Sequence, residues 1–313
     1  MTNLSASEPV FESTVIRPRT KLTRLMPKKC PDCKLEYPTD AERCITCGRP
    51  APSKGFPNVL LAEKPNEKKE LKRLYDDAIA DSTRAGAITK LREFERRVQS
   101  EARLITACRF KKFFDIGDQE GGIFPTFQQL YHAELAFAGD DPNNNVRLIA
   151  EEATLPGCSR RTHYAVMAID EVGLMHYGNY SLIWKLDMVA HRTSLFIANC
   201  LTWRQENGMA LGSAAPVGNR ARWKDRHVLA VIKCASQITS RTKPSSFPRM
   251  LVRNRSKKDP YDVFIEGHIW GPLTRMSLLK VICTSPETSP AKQMMAEEIA
   301  DELRKSGIDV EGL

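Results

Sequence analysis

The stretch Tyr261–Pro272, YDVFIEGHIWGP, decides how the rest of the chain is read. Val263, Ile265 and Ile269 fall on one side of a period-2 pattern, and Phe264, Glu266, His268 and Trp270 on the other, which predicts a strand late in the chain. The second side sets an acid and an imidazole between two aromatic rings. A carboxylate in such surroundings sits where water is scarce, so it is hydrogen-bonded, neutralised or chemically employed. Either Glu266 pairs with an arginine and only holds the fold, or it works on a substrate, and the remaining sequence has to tilt the choice.

The 313 residues leave room for one large core plus a small appended module, and the 42% hydrophobic content is ordinary for a globular protein. Apolar runs are too short to span a bilayer, and the N-terminus MTNLSASEPV has no signal-peptide core, so a soluble, cytoplasmic protein without membrane association is expected. Forty-seven Lys and Arg against 38 Asp and Glu give a formal charge of +9, which biases the surface toward polyanions such as nucleic acid. Of the nine cysteines, Cys108, Cys158, Cys200, Cys234 and Cys283 are scattered among apolar residues, as expected of buried, reduced thiols.

The other four form the most specific motif in the chain. In KKCPDCKLEYPTDAERCITCGRPAP, Cys30, Cys33, Cys44 and Cys47 make two tight knuckles that offer four thiolates to one tetrahedral Zn²⁺. So short a module has little apolar material, and the metal supplies its stability. The motif resembles the zinc ribbons of nucleic-acid-binding and protein-binding proteins, and its spacing leaves nucleic acid, a partner protein and pure scaffolding all open as its role.

Organisation follows from composition. Residues 1–26 read as a flexible basic arm, 27–52 as the zinc ribbon, 53–107 as a linker and helical pair, and 108–313 as an α+β domain. The helical pair is carried by Leu71, Leu74, Tyr75 and Ile79, and then by Ile88, Leu91, Val98, Ala102 and Ile105, with charges on the opposite side. In the last region SRRTHYAVMAID predicts a strand with Arg161, His163, Ala165 and Met167 on one side and Thr162, Tyr164, Val166 and Ala168 on the other. HYGNYSLIWKL predicts a second strand. GMALGSAAPVGNRARWKDR reads as a long small-residue loop, either a lid or plain surface. HVLAVIKCASQI fits strand or helix, Met250 to Val252 a short strand, and LTRMSLLKVI a helix. Ser289 and Pro290 start a final helix that Gly307 stops. The fold class expected is a small split sheet, mixed or antiparallel, with flanking helices.

Arg161 and His163 on one strand, Tyr177-Gly178 opening the next, the run Arg192-Thr193-Ser194 and a late strand with Glu266 appear in an order that resembles the ADP-ribosyltransferase superfamily. HYGNYSLIWK, HRTSLF and FIEGHIWGP are similar to segments of its bacterial toxin-like members; the likeness covers roughly residues 158–285. It implies NAD as substrate, bound between an early Arg or His, a middle Tyr or Ser, and the late Glu. Breaking the bond between nicotinamide and ribose builds positive charge on the sugar, as in glycoside cleavage, and a fixed carboxylate beside the ribose stabilises that charge. By resemblance Glu266 would have that role, His163 would hydrogen-bond a ribose hydroxyl and Tyr177 would stack on the nicotinamide. Arg192 or Arg161 would grip the pyrophosphate in a forked pair of hydrogen bonds. Ser194 would serve in an Arg-Ser-Glu type of site, and the residues leave that type and the His-Tyr-Glu type both open. All these groups would have to face one opening.

Members that modify arginine carry Glu or Gln two residues before the catalytic Glu, where this chain has Phe264, so arginine is a poor acceptor here. The zinc module and basic surroundings favour RNA or single-stranded DNA as acceptor, in a toxin or defence protein that a neutralising protein partner would restrain. Two other readings compete. One is a non-catalytic zinc-ribbon nucleic-acid-binding or adaptor protein, with Glu266 in a structural ion pair. The other is a metal-dependent nuclease using Glu266, His268 and Asp262.

Overall fold

The computed structural model describes residues 28–29, 36–37, 55–118, 123–133, 144–254 and 261–313. The chain divides into two compact units, Met1–Lys54 and Gly55–Leu313. In the first, strand β1 (Lys28–Lys29) pairs antiparallel with β2 (Glu36–Tyr37), with Lys28 opposite Tyr37. The expected basic arm and all four ribbon cysteines lie outside the described residues.

The second unit opens with three helices, α1 (Pro57–Glu63), α2 (Pro65–Arg84) and α3 (Ile88–Glu101). There follow β3 (Arg103–Cys108), α4 (Phe110–Asp118), β4 (Ile123–Phe124), α5 (Phe127–His132) and α6 (Asn144–Thr154). The middle holds β5 (Thr162–Ala168), β6 (Tyr180–Trp184), α7 (Leu186–Val189), β7 (Thr193–Phe196), α8 (Cys200–Glu206) and β8 (Arg220–Arg222). Next come α9 (Arg226–Cys234), α10 (Phe247–Leu251), β9 (Glu266–Trp270) and β10 (Leu273–Thr274). The chain ends with β11 (Leu278–Cys283), α11 (Pro290–Lys305) and β12 (Asp309–Glu311).

Eight strands form one sheet in the order β12-β11-β6-β3-β5-β9-β7-β8. Every pairing is antiparallel except β11 with β12, so the architecture is α+β with a mixed sheet. The period-2 readings hold. Ile265 and Ile269 enter the larger core with Leu104, Ala165, Met167 and Leu195, and helices α2, α3, α4, α9, α10 and α11 supply its other side. Phe264 packs on the opposite face with Ile105, Val166 and Ile183. That face is closed further along by Ala150 of α6 and Cys200 of α8 against Phe196.

Several expectations are corrected. The boundary drawn at 107 cuts a central strand, because β3 pairs with both β5 and β6; the helical pair therefore belongs to the same unit as the sheet. Ala102 and Ile105, read as helical, lie past the end of α3, and Ile105 is in β3. LTRMSLLKVI forms β10 and β11 rather than a helix: Leu278 and Val281 serve either period, and pairing with β6 decides. Residues 250 and 251 end helix α10, where Phe247 and Leu251, four apart, are both buried. The small-residue loop is pinned, since the Gly218 N–H donates to buried Glu67 at 2.6 Å and Arg220 pairs with the same carboxylate at 2.7 Å.

Candidate functional site

Strand β9 delivers Glu266 and His268 to the sheet face covered by α6 and α8. Alternation along the strand puts both on one side, and Gly267 between them is required by the other. A Cβ there would stand 2.6 Å from Leu104 Cδ2 in the packed core. Glu266 is 5% exposed and His268 1%. Their side chains meet at 3.0 Å, His268 Nε2 to Glu266 Oε2, and the same oxygen accepts the Cys200 N–H at 3.2 Å. The acid is thus held from two directions, by its own strand and by the first turn of α8.

Neighbouring strands bring hydroxyls to the same place. Register sets Tyr164 of β5 and Ser194 of β7 opposite His268, one on each side, so all three share a face. The Tyr164 ring meets the His268 imidazole edge-on at 5.4 Å. Tyr164 Oη and Ser194 Oγ are both buried and make no hydrogen bond among the described residues. Buried polar atoms are nearly always paired, so two orphans flanking a held carboxylate mark a place built to meet something else.

Charge surrounds this group unevenly. Arg147 of α6 lies 4.2 Å over the Phe127 ring and 5.5 Å from the Tyr164 ring, and bonds Glu151 at 2.5 Å. Burial opposes the Arg147 charge, but Glu151 outweighs it and raises the guanidinium pKa. Burial also pushes the Tyr164 phenol well up, with Glu151, Cys200 and Glu266 adding to the effect, so this tyrosine is a hydrogen-bond donor and not a base. The Cys200 thiol is driven well above its ordinary range by burial and then by Glu266, which removes it as a nucleophile.

The residues singled out from sequence divide into three groups. Glu266 and Ser194 are on one face, as the resemblance implies. Arg161 and Arg192 sit at the sheet end with Trp270: the Arg161 guanidinium is 5.0 Å over the Trp270 ring, and Arg192 Nη1 donates to the Trp270 carbonyl at 2.5 Å. Tyr177 closes a single turn, Met175–Tyr177, rather than opening a strand, and is 45% exposed with its ring 3.9 Å from that of His176. It lies near enough to Arg147 to act on its charge, so it borders the Glu266 face. Gly178 follows because a Cβ there would fall 2.0 Å from the Cys108 carbonyl.

His163 does not join them. It stands opposite Ile269, on the core side of the sheet, and the expectation that it faces one opening with Glu266 is corrected by that alternation. Asp262 is likewise turned elsewhere, with His176 Nε2 at 3.2 Å from its Oδ2. Among the described residues no three His, Cys, Asp or Glu side chains are placed to share a metal ion. For the expected zinc, β1 and β2 close a hairpin whose connecting sequence carries Cys30 and Cys33, which suits the first knuckle of a four-thiolate site.

The chain matches no family model, no curated protein and no solved structure. The site therefore stands on its own geometry. Tyr164 and Arg147 were not singled out from sequence. Tyr164 was legible as a strand neighbour of His163 on the opposite side, whereas Arg147 carries only an i,i+4 acid, Glu151, as a local signal. No helix among the described residues is long and apolar enough to cross a membrane.

Proposed function

We propose that the chain is an ADP-ribosyltransferase that cleaves NAD and passes ADP-ribose to nucleic acid. One arrangement carries the reading: a carboxylate held by His268 and a backbone N–H shares a buried sheet face with two hydroxyls, Ser194 Oγ and Tyr164 Oη, that have no partner of their own. The bond between ribose C1′ and the nicotinamide nitrogen breaks with its electron pair leaving on neutral nicotinamide. Glu266 stabilises the positive charge that this leaves on the sugar. The two hydroxyls donate to ribose oxygens or to the carboxamide and fix the ring against the acid. Arg192 or Arg161 holds the diphosphate, Tyr177 borders the nicotinamide side, and an acceptor atom of the nucleic acid attacks C1′ while losing its proton.

The test is nicotinamide release from labelled NAD by the zinc-loaded full chain, with RNA, single-stranded DNA and cell protein as separate acceptor pools. Glu266→Gln keeps an oxygen for the Cys200 N–H and should retain fold and zinc while release falls by a factor of about 10² or more. Full activity in that variant, or label in none of the pools, ends the proposal.

A further inference from the structure

We infer that Lys112, His163 and Arg192 form a binding site for a phosphate-type anion at the end of the sheet where β3 finishes and β5 and β7 begin. The placement comes from register. His163 and Thr193 both stand opposite Ile269 of β9, so they lie in one row on the core side of the sheet, roughly 10 Å apart across two strand spacings. Arg192 precedes Thr193 and reaches back across β9 to the Trp270 carbonyl, toward His163. Lys112 lies in the first turn of α4, which starts just past the end of β3 on this side, and it is within electrostatic reach of His163.

The charges in this cluster are all of one sign. Lys112 is half-buried and makes no ion pair or side-chain hydrogen bond among the described residues, and His163 makes no side-chain hydrogen bond there either. The other titratable and charged groups acting on Lys112 are Cys108 at the end of β3, Asp115 on its own helix and Arg147 on α6; of these only Asp115 is a carboxylate. Burial lowers the Lys112 pKa and, with Lys112 and Arg192, holds that of His163 down to about 3. A desolvated ammonium without a counter-ion is costly, and an anion at this spot removes the cost. It also supplies the partner that lets His163 take up a proton. A phosphate ester has the acceptor oxygens for an ammonium, an imidazolium and a guanidinium together. Two sources carry that chemistry: the diphosphate of a dinucleotide, which rests on the transferase reading, and the backbone of a nucleic acid, which does not.

Calorimetric titration of inorganic pyrophosphate into the zinc-loaded full chain tests the site, with ADP-ribose and a single-stranded oligonucleotide as separate arms. Pyrophosphate should bind with uptake of a proton, seen as a heat that changes with the ionisation enthalpy of the buffer, and His163→Gln should abolish that uptake. Lys112→Met should weaken binding about tenfold or more and Lys112→Arg should restore most of it. Tighter binding of ADP-ribose than of the oligonucleotide assigns the anion to a dinucleotide, and the reverse order to nucleic acid. The inference is overturned if Lys112→Met binds pyrophosphate as the wild type does, if no proton is taken up, or if none of the three probes binds saturably. Glu266→Gln, outside the cluster, should bind pyrophosphate normally, so absent NAD cleavage with intact pyrophosphate binding would refute the transferase alone.

Discussion

Acidification should reveal the neutral imidazole of His163. The residue is 7% exposed, and burial, joined by Lys112 and Arg192, holds its pKa down to about 3. An unfolded chain titrates the same group near 6.5. Between the two values the unfolded chain binds a proton that the folded chain refuses. Stability is therefore lost as pH falls below about 6.5, and the loss from this group is complete near its folded value. Each pH unit inside that window costs about 1.4 kcal/mol, so His163 removes about 2 kcal/mol between neutral pH and about pH 5. Denaturant unfolding of the wild type and His163→Gln across this range measures it. All four tryptophans lie in the second unit, so their fluorescence follows that unit alone. Carboxylates titrate alike in both proteins, and the difference between them isolates the imidazole. That difference should move by about 2 kcal/mol against the wild type by about pH 5, and saturating pyrophosphate should shrink the change. A difference independent of pH would refute the argument.

Gly267→Ala would drive a methyl to 2.6 Å from a fully buried leucine, Leu104. A loss of about 1–3 kcal/mol is expected, read as a lower melting temperature, and an unchanged one would contradict the packing. Asn58 is fully buried and its amide donates to the His268 carbonyl at 2.7 Å and the Arg192 carbonyl at 3.1 Å. Asn58→Ala strands both acceptors and should cost about 2 kcal/mol or more in denaturant unfolding, whereas a neutral outcome would mean that water replaces the amide. Metal analysis should find one zinc per chain, lost in Cys30→Ser and Cys47→Ser, while the tryptophan-monitored unfolding of the second unit stays in place; retention of zinc in both variants would dismiss the four-thiolate site.

What could be read ahead of the coordinates follows from how much each local pattern constrains. Residues 263–270 alternate cleanly because both sheet faces there are buried, and so the side on which Glu266 and His268 stand was legible. The same alternation separates His163 from Tyr164, yet only the pairing of β5 with β9 shows which of the two meets the acid. Leu278 to Cys283 carries apolar residues that satisfy two periods, and its strand state is decided by β6 and β12 on either side. RLITAC was absorbed into the helix before it, since nothing local announces that it will sit at the centre of the sheet. The support of Glu266 by the Cys200 N–H leaves no trace in side-chain identity at all.

The order of the sheet also has a bearing on biosynthesis. β9 lies between β5 and β7, although β7 leaves the ribosome some seventy residues before it. Until residues 266–270 emerge, the two earlier strands have an unfilled gap between them, and the segment that fills it carries the acid. A nascent or prematurely terminated chain thus lacks both its central seam and its chemistry, so a protein able to damage its own cell would be armed only near the end of translation.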